Sequence, residues 1–142
     1  MRRLIIATAG ILALFIGGMI YVLWRPDSLV MFKWFKVFGL NSKLHNYRIW
    51  ARSYRRFLPN FLVYSLPQAL WLFSGILIFR SIWTSDENKN FLIWGATILI
   101  TALGFEFGQY IHWVPGRFDL FDILLIIVTP IVSVAVFKAI GY

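Results

Sequence analysis

The sequence predicts an all-α fold: a four-helix transmembrane bundle with an additional short interfacial amphipathic helix. Three observations predict it. Hydrophobic residues make up 60% of the 142 residues and charged residues only 14%, against about 25% charged in a soluble domain. Apolar runs close to the ~20 residues needed to cross a hydrocarbon core recur along the chain. Seven Trp, six Tyr and fourteen Phe suit a chain whose rings sit at headgroup level. Polar material is too scarce to wet a soluble fold. The whole chain, 1–142, reads as a single integral membrane domain with no internal repeat. The absence of cysteine excludes a disulfide framework and a thiolate metal site.

The first span covers about 4–24 and carries no charge. Arg2 and Arg3 before an apolar run also resemble a secretory signal. The run is long for that, Gly17 and Gly18 lie deep within it, and no small-x-small site precedes a soluble domain. The segment therefore reads as a retained span. Arg25-Pro26-Asp27 then signals a turn.

Residues 29–40 are too few to span. Wound as a helix, they put Lys33 and Lys36 on one narrow face and Phe32, Trp34, Phe35 and Phe38 on the rest. That pattern is an interfacial helix whose lysines reach toward headgroups; a helix packed on the bundle end is the alternative. From 41 to 56 the chain turns polar and basic and belongs in water near the headgroups. Segment 25–58 holds eight basic residues against Asp27 alone, so +7 of the net +8 lies there. Flanked by spans, it points to the anionic headgroups of a lipid bilayer rather than to nucleic acid.

The second span, about 57–79, contains Asn60, Ser65, Pro67 and Gln68. Pro67 removes a backbone donor, which predicts a kink near Tyr64. The linker 80–90 is short, so the third span, about 91–111, is an antiparallel neighbour. The fourth covers about 122–138, with a bend expected at Pro130 and Lys138 snorkelling at its end.

The candidate chemistry lies in 104–122. Glu106 follows a long uncharged stretch, and a carboxylate at that depth must face protein or a wet cavity. Burial without a partner would cost several kcal/mol. Gln109 and His112 follow at helical intervals if the helix runs that far. Pro115-Gly116 turns the chain back and delivers Arg117, Asp119 and Asp122. Three of the six acids thus converge near one membrane face. The plainer readings are that an Asp caps the fourth helix, that Arg117 meets headgroups or pairs with an Asp, and that His112 is an amphipathic edge residue. Gln68 either reaches Glu106 or Gln109, or bonds the carbonyl that Pro67 frees. Gly104 and Gly108 form a GxxxG pair on the opposite side from Glu106, a surface for close approach to another helix, from a membrane partner or a second copy.

The run Phe105-Glu106-x-x-Gln109, followed by Asp119-x-x-Asp122 opening an apolar helix, resembles the VanZ-like family of bacterial membrane proteins. The likeness covers about 57–137 and includes the proline in the preceding span. Where that family carries Asn and Gly early in its last helix, this chain reads Ile123-Leu-Leu-Ile-Ile-Val-Thr-Pro130. The resemblance implies a multi-pass protein of the bacterial inner membrane with a role like low-level teicoplanin resistance. It also implies that the Asp pair faces outward. The positive-inside rule implies the reverse, with 25–58 and the 112–121 turn in the cytoplasm.

Three functions follow as expectations. The first is a binding or envelope-modifying protein whose acidic pocket holds a polar headgroup, a cell-wall precursor or a cationic ligand, with Gln68, Gln109, His112 and Arg117 as binding residues. The second is an enzyme on lipid-linked material, with Glu106 as acid or base and Asp119 and Asp122 on a divalent cation; His112 would admit zinc. The third is a structural subunit of a larger membrane complex. The sequence identifies no cofactor.

Overall fold

A computed structural model describes residues 1–83 and 88–141; the middle of the linker between the second and third predicted spans, 84–87, lies outside the described residues. All regular structure among them is helical. The helices are α1 (Arg2–Trp24), α2 (Val30–Val37), α3 (Asn41–Ser53), α4 (Asn60–Tyr64), α5 (Leu66–Ile82), α6 (Asn88–Tyr110) and α7 (Leu120–Ile140). By length and composition α1, α6 and α7 can cross a membrane, whereas α5 is a shorter apolar helix.

Close packing starts from small residues on α1. Ile6, Gly10, Ala13 and Gly17 form its buried stripe, at alternating intervals of four and three that keep one face toward a partner helix. That partner is α5. A Cβ on Gly10 would meet Ile78, Leu77 and the Ser74 carbonyl at 3.0–3.2 Å, and one on Gly17 would meet the Trp71 ring at 2.9 Å. Where lipid removes the hydrophobic drive between helices, such approach supplies van der Waals contact instead.

The second predicted span is divided. Helix α4 ends at Tyr64, Ser65 interrupts it, and α5 restarts with Pro67 as its second residue. A proline is tolerated there because the first-turn amides lack intrahelical acceptors anyway. The kink expected from Pro67 is thus a break. By contrast, α7 runs unbroken through Pro130. Within it Thr129 donates to the Leu125 carbonyl at 2.6 Å and Ser133 to the Thr129 carbonyl at 2.9 Å.

Contacts fix the order of the helices as up, down, up, down for α1, α5, α6 and α7. At one end Arg2 donates to the Gly141 carbonyl at 2.8 Å, and Phe91 meets Phe137 edge-on at 6.1 Å. A core of Ile6, Leu72, Ile76, Leu77, Ile126 and Phe137 fills the interior toward this end. At the other end gather the C-termini of α1 and α6, the start of α7, and α4. The outward faces of the long helices are bare Leu, Ile and Phe. Soluble monomers rarely expose contiguous apolar area on that scale.

The polar segment after 40 holds α3, a helix that the sequence pattern did not announce. It docks on the end of α1 through one buried cation. Arg48 donates to the Val22 carbonyl, to the Arg25 carbonyl at 2.6 Å, and to Asp27 Oδ1 at 2.7 Å. Its guanidinium lies 4.1 Å from the centroid of the Phe32 ring of α2. The last carbonyls of a helix lack intrahelical donors; Arg48 supplies them from the adjacent element. Trp24 donates to the Ala51 carbonyl at 2.9 Å, and Arg52 adds a second bond to Asp27 at 2.9 Å. Around this dock Lys33, Lys36, Lys43, Trp34, Phe38 and Trp50 stay exposed.

Candidate functional site

The break at Ser65 and the turn after α6 leave a space between the helix ends. Its volume is about 980 Å³, at the upper end of the ~300–1,000 Å³ usual for ligand pockets. The end of α1 contributes Tyr21 and Arg25, the α4–α5 break Tyr64, Ser65 and Gln68, α6 Gln109, and the returning chain Arg117, Asp119 and Asp122.

The turn between α6 and α7 explains which predicted residues arrive. The Trp113 amide donates to the Gly108 carbonyl at 2.8 Å and the His112 amide to the Gln109 carbonyl at 3.2 Å. That pair of bonds is a Schellman cap, which places His112 in the left-handed region, at φ 61°. Helix α6 therefore ends at Tyr110, and His112 leaves the face shared by Glu106 and Gln109. It is exposed and does not line the cavity. Gly116, at φ 151°, lies so close to Gln109 that a Cβ would sit 2.7 Å from its Cδ. The turn is thus pressed against the Gln109 side chain.

Glu106 is completely buried. Gln68 donates to its Oε1 at 3.2 Å, while its Oε2 is buried without a hydrogen-bond partner. Asp119 and Asp122 are its charged neighbours. Asp122 is buried in the first turn of α7, with the Ser65 hydroxyl facing it, and its Oδ1 also lacks a donor. Asp119 is the N-cap of α7: its Oδ1 accepts from the Phe121 amide at 2.9 Å. One of the two aspartates therefore serves as a cap and the other is sunk in the wall.

No known protein family, curated protein or solved structure matches this chain. The site must be read from its own geometry.

Of the residues singled out from sequence, Gln68, Gln109, Arg117, Asp119 and Asp122 surround one cavity and Glu106 lies directly behind Gln68. Among the described residues no group of three or more His, Asp or Glu side chains is gathered closely enough to hold a metal ion; His112 in particular points elsewhere. The glycine pair of α6 does not seat against another helix of this chain. Gly104 has nothing within 4 Å of a Cβ position, and Gly108 instead makes room for Val114 of its own turn, 2.7 Å away.

Arg25 was legible only as a turn marker, yet it lines the cavity. Its guanidinium lies 5.1 Å from the ring centroids of both Tyr21 and Tyr64. Tyr21 precedes it by one helical turn, a signal available in the sequence; Tyr64 comes from α4 and was not.

Proposed function

We propose that this chain is a VanZ-like, multi-pass protein of the bacterial inner membrane that receives the polar head of an amphiphilic cell-envelope ligand in the cavity at one end of its bundle. Helices α4 and α5 together supply the fourth crossing, and the bundle has four spans. One observation carries the reading: a buried carboxyl oxygen of Asp122, which lines the cavity, has no donor. Buried polar atoms without partners are costly. A head bearing hydroxyl or amine donors satisfies it. The wall mixes this acceptor with Leu29, Phe61 and Phe121, which suits the junction between a head and its acyl or isoprenyl tail. The likeness of 105–122 to the VanZ-like motif supports the same placement.

The basic, aromatic helices α2 and α3 share the cavity's end. Their exposed lysines and Trp34 and Trp50 suit an anionic bilayer surface. By the charge rule that end is cytoplasmic. The chain has no cysteine, so single cysteines at Ser28 and at Asn90, at opposite ends of the bundle, would report sidedness by labelling from outside.

The test of the reading is retention of an amphiphile. Native mass spectrometry of the purified chain should show a bound lipid-sized molecule, retained at least about tenfold less by Asp122→Ala, in line with loss of one charge-assisted hydrogen bond. Equal retention by the variant, or none by the wild type, would overturn it.

A second reading, an accessory subunit of a larger complex, has one observation in its favour. Helix α6 is the least covered of the three long helices, and Gly104 stands on its open surface. A stoichiometric membrane partner on copurification from mild detergent would support it; a lone monomer would count against it.

A further inference from the structure

The cavity has two chemically different walls. On the α6–α7 side Asp122 offers an acceptor, an oxygen with no donor of its own. On the α1 side Arg25 offers donors: its guanidinium sits near the rings of Tyr21 and Tyr64, and contacts of that kind leave N–H groups free to bond oxygen. One of them makes a long bond, 3.5 Å, to the Tyr64 carbonyl, and Nε is buried with no acceptor. Arg117 reaches the same space from the turn. Among the described residues the only ion-paired acid is Asp27, which belongs to Arg48 and Arg52. Arg25 and Asp122 both line this cavity, and no ion pair joins them.

Resting on the reading above, we infer that the ligand's head is a phosphate ester that also carries hydroxyl or amine donors. The phosphate faces Arg25 and Arg117, and the donors face Asp122. A guanidinium fork matches phosphate oxygens bidentately, and a phosphate has oxygens enough to be shared by two of them. The head therefore spans the gap between Arg25 and Asp122 and satisfies the unpartnered atoms on both walls. A glycerophosphate or phosphoethanolamine head has this pattern.

The experiment is a titration of the purified full chain, in a phosphate-free neutral detergent, followed by native mass spectrometry. The probes are phosphatidylglycerol, phosphatidylethanolamine and a galactosyl diacylglycerol, which has hydroxyls but no phosphate. Phosphate lipids should bind about tenfold or more tighter than the galactolipid, as expected for charge-assisted bonds. Arg25→Gln and Arg117→Gln should each weaken only the phosphate lipids, and Arg25→Lys should recover part of the loss. Asp122→Asn should weaken both classes. Soluble glycerol 3-phosphate supplies the second source: competition by it assigns the head alone, and failure to compete, with phosphatidylglycerol still bound, assigns the lipid. Both results keep the phosphate. Galactolipid bound as tightly as phosphatidylglycerol, or phosphate lipids unaffected by Arg25→Gln with Arg117→Gln, overturns the phosphate assignment and leaves the cavity reading intact. If no lipid of either class binds, the cavity reading itself falls.

Discussion

Gln68 on α5 donates to Glu106 on α6 at 3.2 Å, and the acceptor is a completely buried carboxyl. The bond joins two helices where the cavity meets the bundle interior. Gln68→Leu removes the side-chain donor from that buried carboxyl. The expected cost is about 1–3 kcal/mol, the penalty for stranding a buried polar group. Glu106→Gln keeps an acceptor for Gln68 in nearly the same shape, so it should cost less than Gln68→Leu or nothing. Thermal unfolding in detergent orders the two. If Gln68→Leu is neutral, the bond is not holding the helices together.

Arg48 is the second place where one side chain organises several elements. Arg48→Ala removes donors from the Val22 and Arg25 carbonyls together. Loss of charge-assisted bonds of this kind costs roughly 2–3 kcal/mol. The loss should be local, appearing as faster amide exchange across α3 with α5–α7 unchanged. Arg48→Lys should recover little, because an ammonium cannot reproduce the fork that reaches two carbonyls and Asp27. Unchanged exchange in α3 for Arg48→Ala would refute the docking role.

What the sequence announced and what it concealed divide along physical lines. Glu106 was legible because a lone carboxylate in an apolar run has few tolerable environments. Pro67 was legible because its effect is local and covalent. Arg48 was concealed as one of five basic residues in the polar segment 41–56. The inner face of α3, Leu44, Arg48 and Ala51, has helical spacing, but its central member is charged, so hydropathy hides it. The GxxxG pair showed that something can approach α6 without showing what: at Gly108 it is the chain's own Val114. The glycines that seat a helix, Gly10 and Gly17, are seven apart and belong to no four-residue motif. Whether α6 runs far enough to carry His112 was left open by the sequence, because the Schellman cap is closed by backbone bonds that side-chain patterns do not encode.

That cap gives a direct prediction. A non-glycine residue at φ 61° carries a penalty of roughly 1 kcal/mol that glycine does not. His112→Gly should therefore raise the unfolding midpoint while amphiphile retention stays at the wild-type level. A fall in retention with the fold intact would restore His112 as a ligand group.

Acidification should loosen the α3 dock before the bundle. The hydrogen bond from Arg52, aided by the charges of Arg48 and Arg52 and opposed by partial burial, holds the Asp27 carboxyl below its usual value. Because the folded state lowers this pKa, the contribution to stability is fully present above the ordinary carboxylate value and is lost as pH falls through the lowered one. The side chain is 60% exposed, so the effect is small and shows as local opening. Amide exchange of α3 should quicken with acid, relative to base-level rates, in the wild type and be flat in Asp27→Asn. An identical acid response in both would place the titrating group elsewhere.

The last prediction separates the two glycine sites and tests the accessory-subunit reading. Gly17 faces the Trp71 ring, which a Cβ would approach to 2.9 Å. Gly17→Val should push α1 off α5 at a cost of about 1–3 kcal/mol, the usual range for overpacking. Gly104 meets nothing within 4 Å. Within an isolated chain, Gly104→Ala should stabilise by up to ~1 kcal/mol, since it only improves helix propensity. The same substitution disrupts a helix that needs the glycine for close approach from outside. Unfolding in detergent reads the first effect, and energy transfer between differently labelled copies in vesicles reads the second. A gain in stability with no change in association means that this surface of α6 faces lipid. A gain in detergent with lost association in vesicles would show that a second copy packs there.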